Sequence, residues 1–591
     1  KAREMGLEPL SEFILSERPG NLKKAADRYL NEKVKSVQEA VEGAKHIIAE
    51  QINEDVQTRE SVRRYFKREA EVKAKVIKKK QAEAVKYKDY FEFSESLAKI
   101  PSHRLLAVLR AEKEGFLRLK IRPDDERVID YLQRKYVKQN FESSEELADA
   151  TEDAYKRLLR SSVETEFRNK AKEKADEDAI AVFTKNLRQL LLEAPLGEKR
   201  ILALDPGFKS GCKLVCMDKN GNLLHNENIY PHAPQKRTTE AAKKVQNLIS
   251  AHNIEAIAIG NGTASRETEN FVKNYVRLSN ELKVFTVSED GASVYSASKV
   301  AREEFPDYDV TVRGAVSIGR RLADPLAELV KIDPKSLGIG QYQHDVDEKL
   351  LQSGLDRVVE SCVNTVGVEL NTASRYLLSY TDGLGDSLAD NILQYRKENG
   401  GFKSRKELKK VKRLGDKAFE QSAGFLRIRN AKNPLDNTAV HPESYYIVKK
   451  MADNYGLSVK ELISSKNISE INPKDYVDDK AGLPTVKDIL EELKKPGRDP
   501  RAQKKAFEFS NKISSIEDIR PGMTLPAIIT NVTNFGAFAD IGIKQNGLIH
   551  ISNLADKFVK DPSKHVALHE QVTVEVLSVD LQRKRIQLRK L

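Results

Sequence analysis

RILALDPGFKSGCKLVCMD, Arg200 to Asp218, sets an apolar run against an abrupt turn and a second β-rich run. Ile201, Leu202, Ala203 and Leu204 stop at Asp205-Pro206-Gly207, and Lys213 to Met217 follows closely, which predicts strand, tight turn, strand with a carboxylate at the tip. An acid at the end of a central strand is held by rigid backbone on one side and open to solvent on the other, a placement suited to a metal or a phosphate. Asp-Pro-Gly is also a favourable β-turn tripeptide, since Pro fixes φ, Gly permits positive φ and Asp caps its own turn. Both readings stay open from these residues alone.

Outward from the hairpin, a third strand is predicted near Leu223 to Tyr230, then a helix near Thr239 to Ala251 and a buried strand Ala256 to Ile259. A helix from about Ser265 and a strand Lys283 to Val287 follow. Three strands in succession and then strand-helix alternation resemble the ribonuclease-H-like fold in its YqgF and RuvC branch. Nucleases of that fold carry acids at the end of the first strand, the end of the fourth, and the start of a late helix, where they hold two metal ions for phosphodiester cleavage. The resemblance places Asp205 first and Asp324, in GRRLADPLAELVKI, at the late helix, although Asp before Pro325 is also an ordinary N-cap. The fourth position, in IAIGNGTASRE, carries Asn261, whose neutral carbonyl supplies no charge to offset a second cation. Glu267, Glu289 and Asp290 lie nearby and could substitute. Asp205, Asn261 and Asp324 are therefore expected as vestiges of a catalytic site, with no metal and no cofactor; a metal-dependent nuclease is the rival.

Towards the C-terminus, TDGLGDSLADNILQYR sets Gly383-Leu384-Gly385 between two helices, with Ala389 and Ile392 at packing positions. This is a helix-hairpin-helix signal, in which glycines permit a hairpin whose backbone N–H groups bind a phosphate. VKRLGDKAFEQSAGFLRI repeats it with Leu414-Gly415, but Arg413 replaces the first glycine. A helix pair serving only as a connector is the alternative. Further on, GMTLPAIITNVTNFGAFADIGIKQNGLIHISNL and VTVEVLSVDLQRKRIQL show short strands with Gly-marked turns, as a five-stranded OB barrel requires. They resemble the S1 RNA-binding domain. The resemblance makes Phe535, Phe538, His550, Asp580 and Arg585 the binding face, with one residue more than usual between the Asp and the Arg. Gly536-Ala537 between the two aromatics predicts a bulged, exposed strand whose rings can stack bases.

Charge agrees with a polyanion partner. The chain has 101 Lys+Arg against 89 Asp+Glu, a net +12. Residues 371–432 hold 14 against 7 and residues 520–591 hold 10 against 6, so these two windows contain +7 and +4 of that excess. Three cysteines in 591 residues argue against a disulfide framework and for a reducing compartment, and Cys212 and Cys216, four apart on one strand, should face one core. No apolar run approaches a membrane span and nothing resembles a signal peptide, so a soluble, cytoplasmic protein is expected, and a monomer is expected alongside it.

Residues 1–195 have only Gly6, Gly20, Gly43 and Gly115 and are rich in Lys, Glu, Ala and Leu, which predicts a helical domain. Val62, Phe66, Ala70, Lys73 and Ile77 fall near one stripe of a single long helix. HRLLAVLRAEKEGFLRLKI ends a helix at Gly115, and His344-Asp345 in a loop is read as structural. KKPGRDPR, Lys494 to Arg501, predicts an extended basic linker.

EKEGFLRL, LDPGFKSG, GNGTASRET, IDPKSLGIGQYQHDV, NPLDNTAVHPESY and GRDPR, in this domain order, resemble the bacterial Tex family of transcription accessory proteins over essentially the whole chain. The resemblance implies a multidomain α+β protein: a mostly helical scaffold with a central RNase-H-like α/β domain, tandem helix-hairpin-helix and a C-terminal OB-fold barrel. The expected boundaries are 1–195 helical, 196–330 YqgF-type, 331–432 linker and tandem hairpins, 433–519 helical with the basic linker, and 520–591 S1-type. Tex proteins begin with a further helix-turn-helix portion, and Lys1 in place of Met agrees with a start lying upstream. The implied role is a non-catalytic scaffold for RNA and single-stranded DNA near RNA polymerase or the ribosome.

Overall fold

The computed structural model describes residues 1–17, 19–340, 343–494, 499–501, 513, 515–543, 545–555, 559, 561–568 and 570–591. Half of the linker expected at Lys494 to Arg501, residues 495–498, lies outside them. The chain divides into two compact units: Lys1–Ile180 with the short segment ending at Glu348, and the remainder from Ala181 onward.

In the first unit, helices Val37–Glu54, Val56–Glu69, Asp125–Tyr136 and Glu142–Asp153 bury one stripe each around Ile47, Ile48, Ile52, Phe66, Leu132 and Tyr155. Ser36 and Asp55 cap the first two, accepting the Glu39 and Thr58 amides. The single long helix through Lys73 and Ile77 is not formed. It ends at Glu69, and β1 (Glu71–Val76) takes over, paired with β2 (Glu92–Ser96) and β3 (Leu117–Arg122) in the order β2-β1-β3. The period changes at Ala70 from the helical Val62-Phe66 spacing to strict alternation, with Val72 and Ala74 buried and Lys73 and Lys75 exposed between them. Helix Ser102–Lys113 ends as expected, where Gly115 at φ +76° turns the chain into β3. Asp345 pairs with Arg110 at 3.4 Å, a structural contact.

In the second unit, β4 (Ile201–Asp205), β5 (Cys212–Met217), β6 (Leu223–Ile229), β7 (Ala256–Gly260) and β8 (Lys283–Val287) form one sheet in the order β6-β5-β4-β7-β8. β5 runs antiparallel to β4 and β6, while β4, β7 and β8 are parallel, the ribonuclease-H-like arrangement. One face packs Leu202, Leu204, Cys212, Leu214 and Cys216 against helices Thr238–Ala251 and Ser265–Tyr275, so both cysteines do point into one core. The other face packs Ala203, Val215 and Met217 against helix Val310–Ala323, which lies so close that a side chain at Gly319 would collide with Met217.

The chain then passes through β9 (Val368–Glu369) and returns at β10 (Leu426–Arg427), its parallel partner, after both helical hairpins. β11 (Thr524–Thr533), β12 (Gly536–Asp540), β13 (Gly547–His550), β14 (Gln571–Asp580) and β15 (Arg585–Lys590) close a barrel in the order β11-β12-β13-β15-β14 around Ile529, Val532, Ile549, Val574 and Leu588. Among the described residues no helix is long and apolar enough to cross a membrane.

Candidate nucleic-acid interface

Strand alternation decides which barrel residues face out. On β12, Ala537 and Ala539 are buried and Phe538 is only half-buried; on β13, Ile549 is buried and His550 exposed; on β15, Ile586 and Leu588 are buried and Arg585 and Gln587 exposed. Pairing of Gly536 with His550, Phe538 with Leu548, and Leu548 with Gln587 sets these strands side by side. Phe538, His550 and Arg585 therefore share the outer face of three adjacent strands. Gln587, in line with Phe538, was not anticipated, although period-two counting from Arg585 along β15 would have found it.

Phe535 sits in the two-residue turn between β11 and β12, its ring edge-on to Phe538 with centroids 6.0 Å apart at 88°. The bulge expected between them is on the partner strand instead, where pairing shifts between Ile529 and Asn531 and the Thr530 hydroxyl donates to the Phe538 carbonyl at 3.3 Å. Gly536 serves close approach: at φ +150°, a side chain there would strike the Ile549 carbonyl of β13. The His550 ring is oriented by Ser552, whose amide donates to Nδ1 at 3.3 Å and whose hydroxyl lies 2.9 Å from it. Asp580 stands opposite Arg585 across the β14–β15 hairpin and accepts the Arg583 amide at 2.9 Å. Its evident work is to cap that turn, whose additional residue is taken up with Lys584 at φ +51°.

The two helical hairpins share their turn geometry, although the helix after the turn has 14 residues in the first and 7 in the second. Gly383 at φ +74° and Arg413 at φ +64° occupy the same left-handed position, Leu384 and Leu414 are both buried, and Gly385 and Gly415 are the N-caps of helices Asp386–Asn399 and Asp416–Ser422. The missing glycine has a packing reason. A Cβ on Gly383 would lie 2.5 Å from Gln421 Cβ of the other hairpin, whereas Arg413 is exposed and has room for its side chain. Space around Gly385 and Gly415 is open, so the amides that begin both helices are accessible.

Asp205 and Glu289 line a cavity of about 350 Å³ with Ser293, Ser296, Thr311 and Gly314. Burial, and then the charge of Glu289, push the Asp205 carboxyl up to about 6, against the pull of Lys213. Burial also raises Glu289, with Asp290 adding to it and the Gly262 amide and Arg321 opposing. Asn261 does not reach into this cavity: its side-chain oxygen accepts the Glu289 amide at 3.1 Å. Of the three substitutes considered, Glu289 is the one that arrives, its carboxylate lying where a side chain on Gly262 would collide with it. Asp324 is not at the late-helix position beside Asp205. The residue there is Gly314, whose Cβ would be 3.6 Å from Asp205 Oδ2, and Asp324 follows the far end of the same helix, ten residues or about 15 Å further on. It caps helix Pro325–Leu329 through the Ala327 amide and pairs with Arg501 at 2.7 Å. Among the described residues, no group of three or more His, Cys, Asp or Glu is placed to hold a metal ion.

Comparison with known proteins agrees with this layout. Residues 19–183 match the Tex central region-like family and 199–323 the Tex protein YqgF-like domain. Residues 363–427 match the helix-hairpin-helix motif, 433–501 a further HHH domain that the sequence reading described only as helical, and 518–590 the S1 RNA binding domain. The chain is similar to transcriptional accessory protein Tex of Neisseria gonorrhoeae, 47% identical over 99% of this chain and 78% of the relative. It is 45% identical to protein YhgF of Escherichia coli over 99% and 78%, and 34% identical to the human S1 RNA-binding domain-containing protein 1 over 100% and 67%.

Proposed function

From a chain that belongs to the Tex family of transcription accessory proteins and carries nucleic-acid-binding S1 and helix-hairpin-helix domains, we propose a non-catalytic scaffold that grips single-stranded RNA or DNA near the transcription machinery. The observation that carries this is the outer face of the barrel, where Phe535 and Phe538 stand half out of the core beside exposed His550 and Arg585. Rings so placed stack bases at roughly 1–3 kcal/mol each with little selectivity, and the cations hold the backbone. The open N-caps at Gly385 and Gly415, in the basic window that includes Arg413, add phosphate contacts. In the YqgF-type domain, two carboxylates and a glycine stand where three acids would be needed, a donor set that supports positioning over cleavage.

The test is Phe535→Ala with Phe538→Ala. Single-stranded RNA binding should weaken at least tenfold with the fold retained, and unchanged binding would reject the barrel as the main site. One observation favours a rival nuclease: Asp205, raised to about 6 beside Glu289, is suited to proton transfer. Labelled branched and single-stranded substrates with Mg²⁺ or Mn²⁺ separate the two, since cleavage abolished by Asp205→Asn would overturn the scaffold. A polymerase- or ribosome-bound position predicts co-purification that survives nuclease treatment.

A further inference from the structure

The sheet of the first unit carries an arrangement that its own folding does not require. Val72, Ala74, Leu117 and Ile121 are buried on one face, and Lys73, Lys75, Arg118 and Lys120 are exposed on the other. The register sets Lys73 directly opposite Lys120 and Lys75 directly opposite Arg118. Like charges so paired are destabilising. Little offsets them: Lys73 has Glu71 at 3.0 Å, but among the described residues Lys75, Arg118 and Lys120 have no carboxylate within 4 Å, although Glu92 is the β2 partner of Lys75.

Cations on an edge strand often serve to block pairing with another chain. On β3 that protection is already supplied, because the outward amides of Leu119 and Ile121 donate to Glu112 at 3.2 Å and Glu164 at 2.7 Å. The repulsion thus lacks an internal purpose. We propose that this face is a second nucleic-acid contact, in which the phosphodiester backbone of a single strand lies along the paired cations of β1 and β3.

The two cation pairs are two residues apart, about 6.7 Å along the strand, comparable to the separation of successive phosphates in an extended polynucleotide. The row continues past β1 into exposed Lys78, Lys79 and Lys80. An acidic protein would fit less well, since the face has no exposed large apolar side chain to serve as an anchor. Lys-rich contacts of this kind are indifferent to sequence and strongly dependent on salt.

The proposal rests on the nucleic-acid-binding reading above, and its test separates the two. In the full chain, Lys73→Gln, Lys75→Gln, Arg118→Gln and Lys120→Gln together should reduce the salt slope of single-stranded RNA binding by roughly 0.7 per removed charge, nearly 3 in all, with the thermal midpoint unchanged or raised. Labelled single-stranded RNA, single-stranded DNA and duplex are titrated in parallel, beside the Phe535→Ala, Phe538→Ala variant, which should lose affinity with little change of slope. An unchanged slope in a folded quadruple variant overturns this proposal alone; unchanged binding in both variants overturns the scaffold as well. Should the quadruple variant not fold, Lys120→Gln and Arg118→Gln singly must each lower the slope, and failure of both sinks the proposal. Competition by polyglutamate with the slope unaltered would assign the face to an acidic protein instead.

Discussion

At the scale of single residues, Asp205 shows most directly what environment does to chemistry. Its folded carboxyl titrates near 6, above the ordinary 3.8, so the folded chain holds the proton more tightly than the unfolded one. The resulting stabilisation is complete below about pH 4 and is lost as pH rises through about 6. Asp205→Asn, neutral throughout, is expected to raise stability by about 3 kcal/mol at neutral pH and by almost nothing near pH 4, read from urea midpoints at the two values. Asp205 was legible as a strand end because an apolar run stops at Asp-Pro-Gly, but that tripeptide reads equally as a plain turn, and it was the resemblance to the ribonuclease-H-like fold that singled out the carboxylate. Glu289 was not selected, because its arrival depends on β8 lying beside β7 and on Gly262 leaving space, neither of which is local.

At the scale of elements, period and turn chemistry located the YqgF-type strands to within a residue or two, with Lys283–Val287 in full agreement. They failed at Ala70, where a helical stripe continued numerically into a strand that alternates just as well; Val72, Ala74 and Val76 satisfy period two and decided the outcome. They also failed at the barrel, where the glycine taken for a bulge marks close contact with β13. The helical hairpins show the same logic. Gly383→Ala places a Cβ in a left-handed turn and 2.5 Å from Gln421, and should destabilise by about 2 kcal/mol, measured by thermal unfolding. Arg413→Gly relieves a left-handed non-glycine, so stability should stay level or rise by up to about 1 kcal/mol while duplex and single-strand affinity falls through the lost charge.

For the molecule as a whole, one contact that ties distant segments is made by Arg501. It is 3% exposed and holds Asp324 at 2.7 Å and Asp499 at 2.6 Å, joining positions 177 residues apart. Removing the cation would leave two carboxylates that are 40% and 38% exposed and so partly screened by water, and Arg501→Ala is expected to cost about 1–2 kcal/mol, seen as a lower midpoint in calorimetry. Nothing in the local pattern around Asp324 announces this partner; Asp before Pro reads as a cap, which it is, and long-range pairing is invisible to spacing. Fold class was readable because motif stretches such as LDPGFKSG and GNGTASRET carry the family resemblance and the central strands carry their own periodicity, whereas a joint such as Arg501–Asp324 is made by single side chains that have neither.

The parallel pairing of Val368 with Leu426 and Glu369 with Arg427 brings the two ends of the intervening lobe to one place. Everything from Leu370 to Phe425 is thus an excursion that departs and rejoins through a single doorway, with buried Arg405 reaching from it to the carbonyls of Leu426 and Val440. Such a lobe is a cassette in a socket: its outer loops can lengthen or shrink while the doorway stands, provided Arg405 stays to fill the carbonyls of Leu426 and Val440.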